Sequence, residues 1–120
     1  MKKVLIVDDA AFMRLTIKTI LEKVGGIECH EAGNGAEAIT KFKEIKPDLV
    51  TMDITMGDMT GIEALKRIKQ IDNKAKVIIV SALGDEMMVK ESIMMGALSF
   101  IVKPFKDEYV YNTMRKVLSI

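Results

Sequence analysis

The fold is decided by the segment DLVTMD, residues 48–53, and by the loop ITMGDMTG, residues 54–61, that follows it. The first segment carries apolar Leu49, Val50 and Met52 and ends in a carboxylate, which is typical of a buried strand that delivers Asp53 to its C-terminal end. Thr60 and Glu63 have the spacing of a capping box, which predicts a helix after the loop. A carboxylate at the mouth of an apolar strand is costly unless it is used there. We therefore interpret Asp53 as a nucleophile for a phosphoryl group.

Similar segments predict further strands at residues 4–7, 76–82 and 99–102, in addition to 48–53. Residues 27–32 alternate between apolar and polar side chains, which predicts a fifth strand at an edge of the sheet. Apolar residues at helical spacing predict a helix after each strand. Asn34 and Asp107 stand where they could cap two of these helices, and Pro47 and Gly96 stand at two of their ends. Strict alternation of strands and helices with short connections indicates an α/β fold, in which a parallel sheet is wrapped by right-handed crossovers. We expect one domain over residues 1–120.

The composition argues against several classes of function. The 120 residues are 49% hydrophobic, which supports a packed core and argues against disorder. The net charge of +1 gives no electrostatic reason to expect nucleic acid or an anionic membrane as a partner. No apolar run is long enough to span a bilayer, and a strand begins directly after the N-terminus, so we expect no signal peptide and a cytoplasmic location. A single Cys29 and a single His30 leave no internal disulfide and no multi-cysteine or multi-histidine metal site.

Polar groups with compatible chemistry are predicted at one edge of the sheet, because ligands of such folds bind beyond the carboxyl ends of the strands. Asp8 and Asp9 follow the first strand, Asp53 the third, Ser81 the fourth and Lys103 the fifth. Crowded carboxylates raise one another's pKa unless a cation lies among them, and hard oxygen ligands suit Mg²⁺. Lys103 adds a positive charge and Ser81 adds a hydroxyl donor. Together these are the parts for moving a phosphoryl group by positioning and charge neutralisation.

Each of these residues also has an ordinary structural explanation. Asp8 and Asp9 precede a helix and could be caps, Asp53 could be a loop carboxylate, and a lysine at a strand end is usually solvated. The joint arrangement carries the argument, because mutually compatible groups at four of five strand ends are hard to obtain by chance.

Four motifs resemble the receiver domain of bacterial two-component response regulators. They are Val7-Asp8-Asp9, Met52-Asp53, Ser81-Ala82 and Lys103-Pro104-Phe105, and the resemblance covers nearly the whole chain. Phe12-Met13-Arg14 after the acidic pair is most similar to the stand-alone chemotaxis regulators, the CheY type. The resemblance implies a flavodoxin-like (βα)5 three-layer sandwich with strand order 2-1-3-4-5, the order known for regulators of the CheY type.

The resemblance also implies roles at the sheet edge. Asp53 would accept phosphate from a histidine kinase and, with Asp9 and the backbone carbonyl of Thr55, would bind Mg²⁺. Asp8 would assist through water. The protein would then be a signalling domain rather than an enzyme, although it would catalyse its own phosphorylation and dephosphorylation.

A second group of implied roles concerns the phosphoryl group and the switch. Ser81 and Lys103 would contact the phosphoryl group, Phe100 would be the switching aromatic, and the Lys103–Pro104 bond would be cis. The changed surface would be the fourth helix, the last strand and the last helix, and it would control an output protein such as the flagellar motor switch. Gly57 stands where the family usually has proline, which predicts a more mobile loop. We expect a monomer with no direct nucleic-acid or membrane partner.

Alternative functions remain open at this point. A receiver fragment of a longer regulator with a DNA-binding output domain would have the same motifs. A small aspartyl-phosphate hydrolase of the haloacid-dehalogenase type also uses a strand-end Asp, a hydroxyl and a Lys, but it places the nucleophile after the first strand in an Asp-x-Asp pattern. Here that position reads Asp8-Asp9-Ala10. A flavin carrier fits poorly because the chain has no Trp, two Tyr and no phosphate-cradling loop.

Overall fold

The computed structural model describes residues 1–120 and contains five strands and five helices in strict alternation. The strands are β1 (Lys2–Val7), β2 (Ile27–Ala32), β3 (Leu49–Met52), β4 (Val77–Ser81) and β5 (Ser99–Val102). The helices are α1 (Ala11–Val24), α2 (Gly35–Ile45), α3 (Gly61–Ile71), α4 (Glu86–Met94) and α5 (Asp107–Leu118). Every strand pair is parallel and the order is β2-β1-β3-β4-β5. The flavodoxin-like fold class and the strand order implied by the resemblance are confirmed.

The sheet is covered on both faces, which explains why its central strands carry few polar residues. In β1, Leu5 and Val7 face the core under α2 and α3, whereas Val4 and Ile6 face the core under α1 and α5. A strand buried on both sides has no face for solvent, so it reads as a continuous apolar run instead of an alternating one. None of the five helices combines the length and apolarity needed to cross a membrane.

Side-chain caps define the starts of three helices. Asn34 accepts a hydrogen bond from the backbone N–H of Glu37 at 2.8 Å, and Thr60 accepts one from Glu63 at 3.2 Å. Asp85 does the same at the start of α4, where it accepts from Met88 at 2.8 Å. Each cap satisfies a backbone donor that the helix leaves unpaired and contributes about 1 kcal/mol.

The prediction that Asp107 caps the last helix is wrong. Asp107 is the first residue of α5, and the extended residue before it, Lys106, holds the cap position without a side-chain hydrogen bond. The backbone therefore becomes helical one residue earlier than the sequence indicated. The carboxylate of Asp107 still lies in the first turn, where negative charge interacts favourably with the helix dipole.

Candidate functional site

The hydrogen-bond ladder of the sheet continues one residue beyond the strands and fixes the backbone of the site. The N–H of Asp53 donates to the carbonyl of Val7 at 3.0 Å, and the N–H of Lys103 donates to the carbonyl of Ser81 at 2.9 Å. Each strand-end residue is thereby held by the neighbouring strand. The side chains that follow β1, β3 and β5 consequently project from a rigid edge, although they are up to 95 residues apart in the chain.

Four of the charged residues meet at this edge. The ammonium of Lys103 lies 2.7 Å from Oδ2 of Asp8 and 3.6 Å from Oδ1 of Asp53. Asp8, Asp9 and Asp53 each have a carboxylate oxygen within 4.8 Å of the others. Asp8 and Asp53 are buried and Asp9 is exposed, so the cluster opens to solvent on one side. The predicted cis bond between Lys103 and Pro104 is present.

The environment of Asp53 disfavours its charged form. Burial is the largest cause that raises the pKa of Asp53, and the negative charge of Asp8 raises it further. The ammonium of Lys103 and the backbone N–H of Ile54, which donates to Oδ1 at 2.9 Å, oppose this shift. A cation among the carboxylates would relieve the remaining repulsion. The donor set consists of hard oxygens with an opening to water, so these residues fit Mg²⁺.

Asp8 is oriented by contacts that sequence reasoning did not anticipate. Its Oδ1 accepts from the N–H of Ala10 at 2.9 Å, and its carbonyl accepts from a guanidinium nitrogen of Arg14 at 2.6 Å. Arg14 also pairs with Glu31 of β2 at 2.9 Å. Neither Asp8 nor Asp9 caps α1, because the cap residue is Ala10 and no side chain bonds to the first turn; these contacts instead orient Asp8 within the acidic cluster. The contact to Glu31 spans 17 residues, so no local pattern in the sequence reveals it.

The remaining predicted site residues make no hydrogen bond with the side chains of the cluster. Ser81 is buried at the end of β4, where its hydroxyl accepts from the N–H of Leu83 at 3.1 Å and makes no hydrogen bond with the carboxylates or with Lys103. Thr55 is exposed in the loop after Asp53. Phe100 in β5 is half-buried and packs against the core beneath α2 and α3. The structure brings the four charged residues together, whereas the Ser81 hydroxyl bonds within its own loop and the Phe100 ring packs against the core.

Comparison with known proteins gives consistent results. The sequence-family model for the response regulator receiver domain matches residues 4–115. The chain is 55% identical over 116 residues to the chemotaxis protein CheY of Thermotoga maritima, with 97% of each chain covered. It is 56% identical over 117 residues to CheY of Bacillus subtilis, with 98% of each covered. A solved CheX–CheY–BeF3–Mg²⁺ complex from Borrelia burgdorferi is similar with a TM-score of 0.90 and 39% identity, and the match covers 97% of this chain and 88% of that one. These comparisons do not favour the hydrolase.

Proposed function

The chain belongs to the response regulator receiver family, and we propose that it carries its phosphoryl group on Asp53. Receiver domains are signalling domains that take part in two-component signal transduction. The observation that supports Asp53 is its position, buried among Asp8, Asp9 and Lys103 at the carboxyl edge of the sheet. Asp8 is also buried in this cluster, but both of its carboxylate oxygens are engaged, because Oδ1 accepts from the N–H of Ala10 and Oδ2 accepts from Lys103.

The carboxylate of Asp53 is held in an orientation that suits attack on phosphorus. Its Oδ1 accepts the N–H of Ile54 and faces Lys103, whereas its Oδ2 accepts no hydrogen bond. Oδ2 is therefore free to form the new O–P bond. The bond between phosphorus and the donor breaks, and the donor leaves with the electron pair. Burial raises the pKa of Asp53 and makes its carboxylate a stronger base, which favours this step.

Asp9, Asp53 and the backbone carbonyl of Thr55 would hold Mg²⁺, and Asp8 would act through water. When bound, Mg²⁺ neutralises charge on the phosphoryl oxygens. Lys103 supplies a second positive charge, because its ammonium lies between Asp8 and Asp53 and can turn toward an incoming phosphoryl oxygen. Ser81 can donate its hydroxyl proton to another oxygen once it turns away from Leu83.

The added charge would change the conformation of a different surface of the protein. A phosphoryl group brings about −1.5 to −2 charges and three strong acceptors. We propose that Ser81 turns toward it and that the half-buried ring of Phe100 turns inward to fill the space. This changes the surface formed by α4, β5 and α5. Shifting such a two-state surface from 1:99 to 99:1 takes about 5.5 kcal/mol of differential stabilisation.

The similarity to chemotaxis regulators supports a place for this receiver in chemotaxis. In that setting a histidine kinase donates the phosphoryl group in the cytoplasm, and the α4-β5-α5 surface controls an output protein such as the flagellar motor switch. Residues 1–120 would act as one monomeric unit without direct contact to nucleic acid or membrane. Exposed Met87 and Met94 on α4 suit an adaptable docking surface, whereas Met88 packs against the core.

Labelling with acetyl phosphate tests the acceptor role. The wild-type protein should incorporate phosphate only with Mg²⁺, and Asp53→Asn should incorporate none at any Mg²⁺ concentration. NMR amide shifts recorded with BeF3 and Mg²⁺ would follow the switch. We expect wild-type shifts in α4, β5 and α5, and we expect Phe100→Ala to weaken them without preventing labelling. Undiminished labelling of Asp53→Asn would move the acceptor elsewhere.

A further inference from the structure

Asp58, in the loop between β3 and α3, joins this loop to the start of α2. Its Oδ1 accepts from the N–H of Gly35 at 3.0 Å, and its Oδ2 accepts from the N–H of Ala36 at 2.8 Å. Oδ1 also accepts from the N–H of Met59 within its own loop at 2.9 Å. These backbone donors lower the pKa of Asp58. One carboxylate thus satisfies backbone donors of two segments that are more than 20 residues apart.

A second contact holds the same two segments together. The side chain of Met59 lies over Gly35, and a Cβ on Gly35 would be 2.7 Å from the sulfur of Met59. Met59 also packs against the buried core under α2 and α3. By contrast, a Cβ on Gly57 would meet nothing within 4 Å. The loop therefore has open space around Gly57, whereas the next two residues, Asp58 and Met59, contact the start of α2.

We propose that Asp58 is a positioning residue for Mg²⁺ at the Asp8–Asp9–Asp53 cluster, because it holds residues 54–60 in place before the ion binds. The inference rests on the proposed function, in which this loop supplies the carbonyl of Thr55. A proline at position 57 would restrict the backbone of this loop, and Gly57 does not. The hydrogen bonds from Gly35 and Ala36 of α2 to Asp58 restrict the loop instead. A loop that is already ordered does not have to lose conformational freedom when the ion arrives.

Removing the anchor should weaken Mg²⁺ binding in a graded way. Asp58→Ala loses all three hydrogen bonds, and if the binding-competent loop falls to about one-fifth of the population, the Mg²⁺ dissociation constant rises about fivefold. Asp58→Asn should be intermediate, since its amide oxygen can still accept from Gly35 and Met59 but its NH₂ group cannot accept from Ala36. The labelling rate at saturating Mg²⁺ should stay within about twofold of wild type, because the competent state is then fully populated.

Two control variants separate this role from helix stability and from charge. Asn34→Ala removes the other cap of α2, which accepts from Glu37 at 2.8 Å, and leaves the loop anchored. Glu37→Gln removes one negative charge from the first turn of the same helix. Both should keep the Mg²⁺ dissociation constant, measured by titration calorimetry with MgCl₂, within about twofold of wild type.

Amide hydrogen exchange without Mg²⁺ gives a readout that does not depend on activity. Exchange at Gly35, Ala36 and Met59 should accelerate together in Asp58→Ala, whereas Asn34→Ala should chiefly accelerate Glu37. An unchanged Mg²⁺ dissociation constant in Asp58→Ala, or an equal rise in either control variant, overturns the proposal. If Mg²⁺ binding follows the expected order but wild-type Asp53 is not labelled, the proposed function fails and the role of Asp58 stands.

Discussion

Replacing Gly61 by alanine is expected to slow the labelling of Asp53 about a hundredfold. A methyl carbon on Gly61 would overlap the carbonyl oxygen of Asp53 and lie 2.7 Å from its carbonyl carbon and 2.9 Å from Cα of Ile54. Carbon atoms prefer about 3.5–4.0 Å, so the backbone of Asp53 must move by roughly 1 Å. A misplacement of about 1 Å at a reacting group costs about 10²-fold in rate. The same overpacking should lower the free energy of unfolding by about 1–3 kcal/mol.

The assay is the initial rate of phosphate incorporation from acetyl phosphate at saturating Mg²⁺, with folding checked by circular dichroism. Gly57→Ala is the matched control, because it adds the same methyl group to the same loop where nothing lies within 4 Å. Its backbone lies outside the left-handed region, so it should label at the wild-type rate and be more stable by about 0.4–1 kcal/mol. A folded Gly61→Ala that labels within about tenfold of wild type would refute the reasoning that backbone placement at Asp53 limits the rate.

Three further predictions concern stability measured by urea unfolding, without Mg²⁺ unless it is named. Asp53→Asn should raise the free energy of unfolding by about 1 kcal/mol or more at neutral pH, because burial disfavours the ionised carboxyl. The gain should shrink as the pH falls through the raised pKa of folded Asp53, since the wild-type carboxyl then takes up a proton; a gain that grows in acid would contradict this. Thr51→Val should be more stable by about 1 kcal/mol, because the Thr51 hydroxyl is buried without a partner, and a loss of stability would show that the hydroxyl has one. Lys103→Ala should lower the free energy of unfolding by about 3 kcal/mol, since it leaves the buried charge of Asp8 without its ammonium partner, and added Mg²⁺ should restore most of this loss. The control Lys76→Ala removes an exposed contact with the carbonyl of Val117 and should lower the free energy of unfolding by less than about 1 kcal/mol.

The fold could be predicted from the sequence because its local signals agree. The apolar segments at residues 4–7 and 99–102 correspond to strands β1 and β5, and Asn34, Thr60 and Asp85 cap the helices that follow them. The alternation in residues 27–32 predicted an edge strand, and β2 does lie at an edge of the sheet. The rest of the strand order came from the resemblance, since nothing local in the other four segments ranks them across a sheet. The error at Asp107 has a local cause, because a carboxylate suits both the cap position and the first turn.

The acidic cluster could be anticipated because parallel strands bring their carboxyl ends to one edge. Its supporting contacts could not, since they join residues far apart in sequence. Asp58 is separated from Gly35 by 23 residues, and Arg14 from Glu31 by 17. The exposure of Met87 beside the packed Met88 is likewise decided by how α4 lies on the sheet. Local patterns report the elements and the strand ends, whereas the packing of loops against helices depends on the assembled fold.

The central claim is that one buried aspartate at the sheet edge carries the phosphoryl group. Mass spectrometry after incubation with acetyl phosphate and Mg²⁺, followed by peptide mapping, tests it most directly. We expect a single added phosphoryl group on the peptide that contains Asp53, with no addition when EDTA replaces Mg²⁺. Modification of another residue, or equal modification in EDTA, would contradict it.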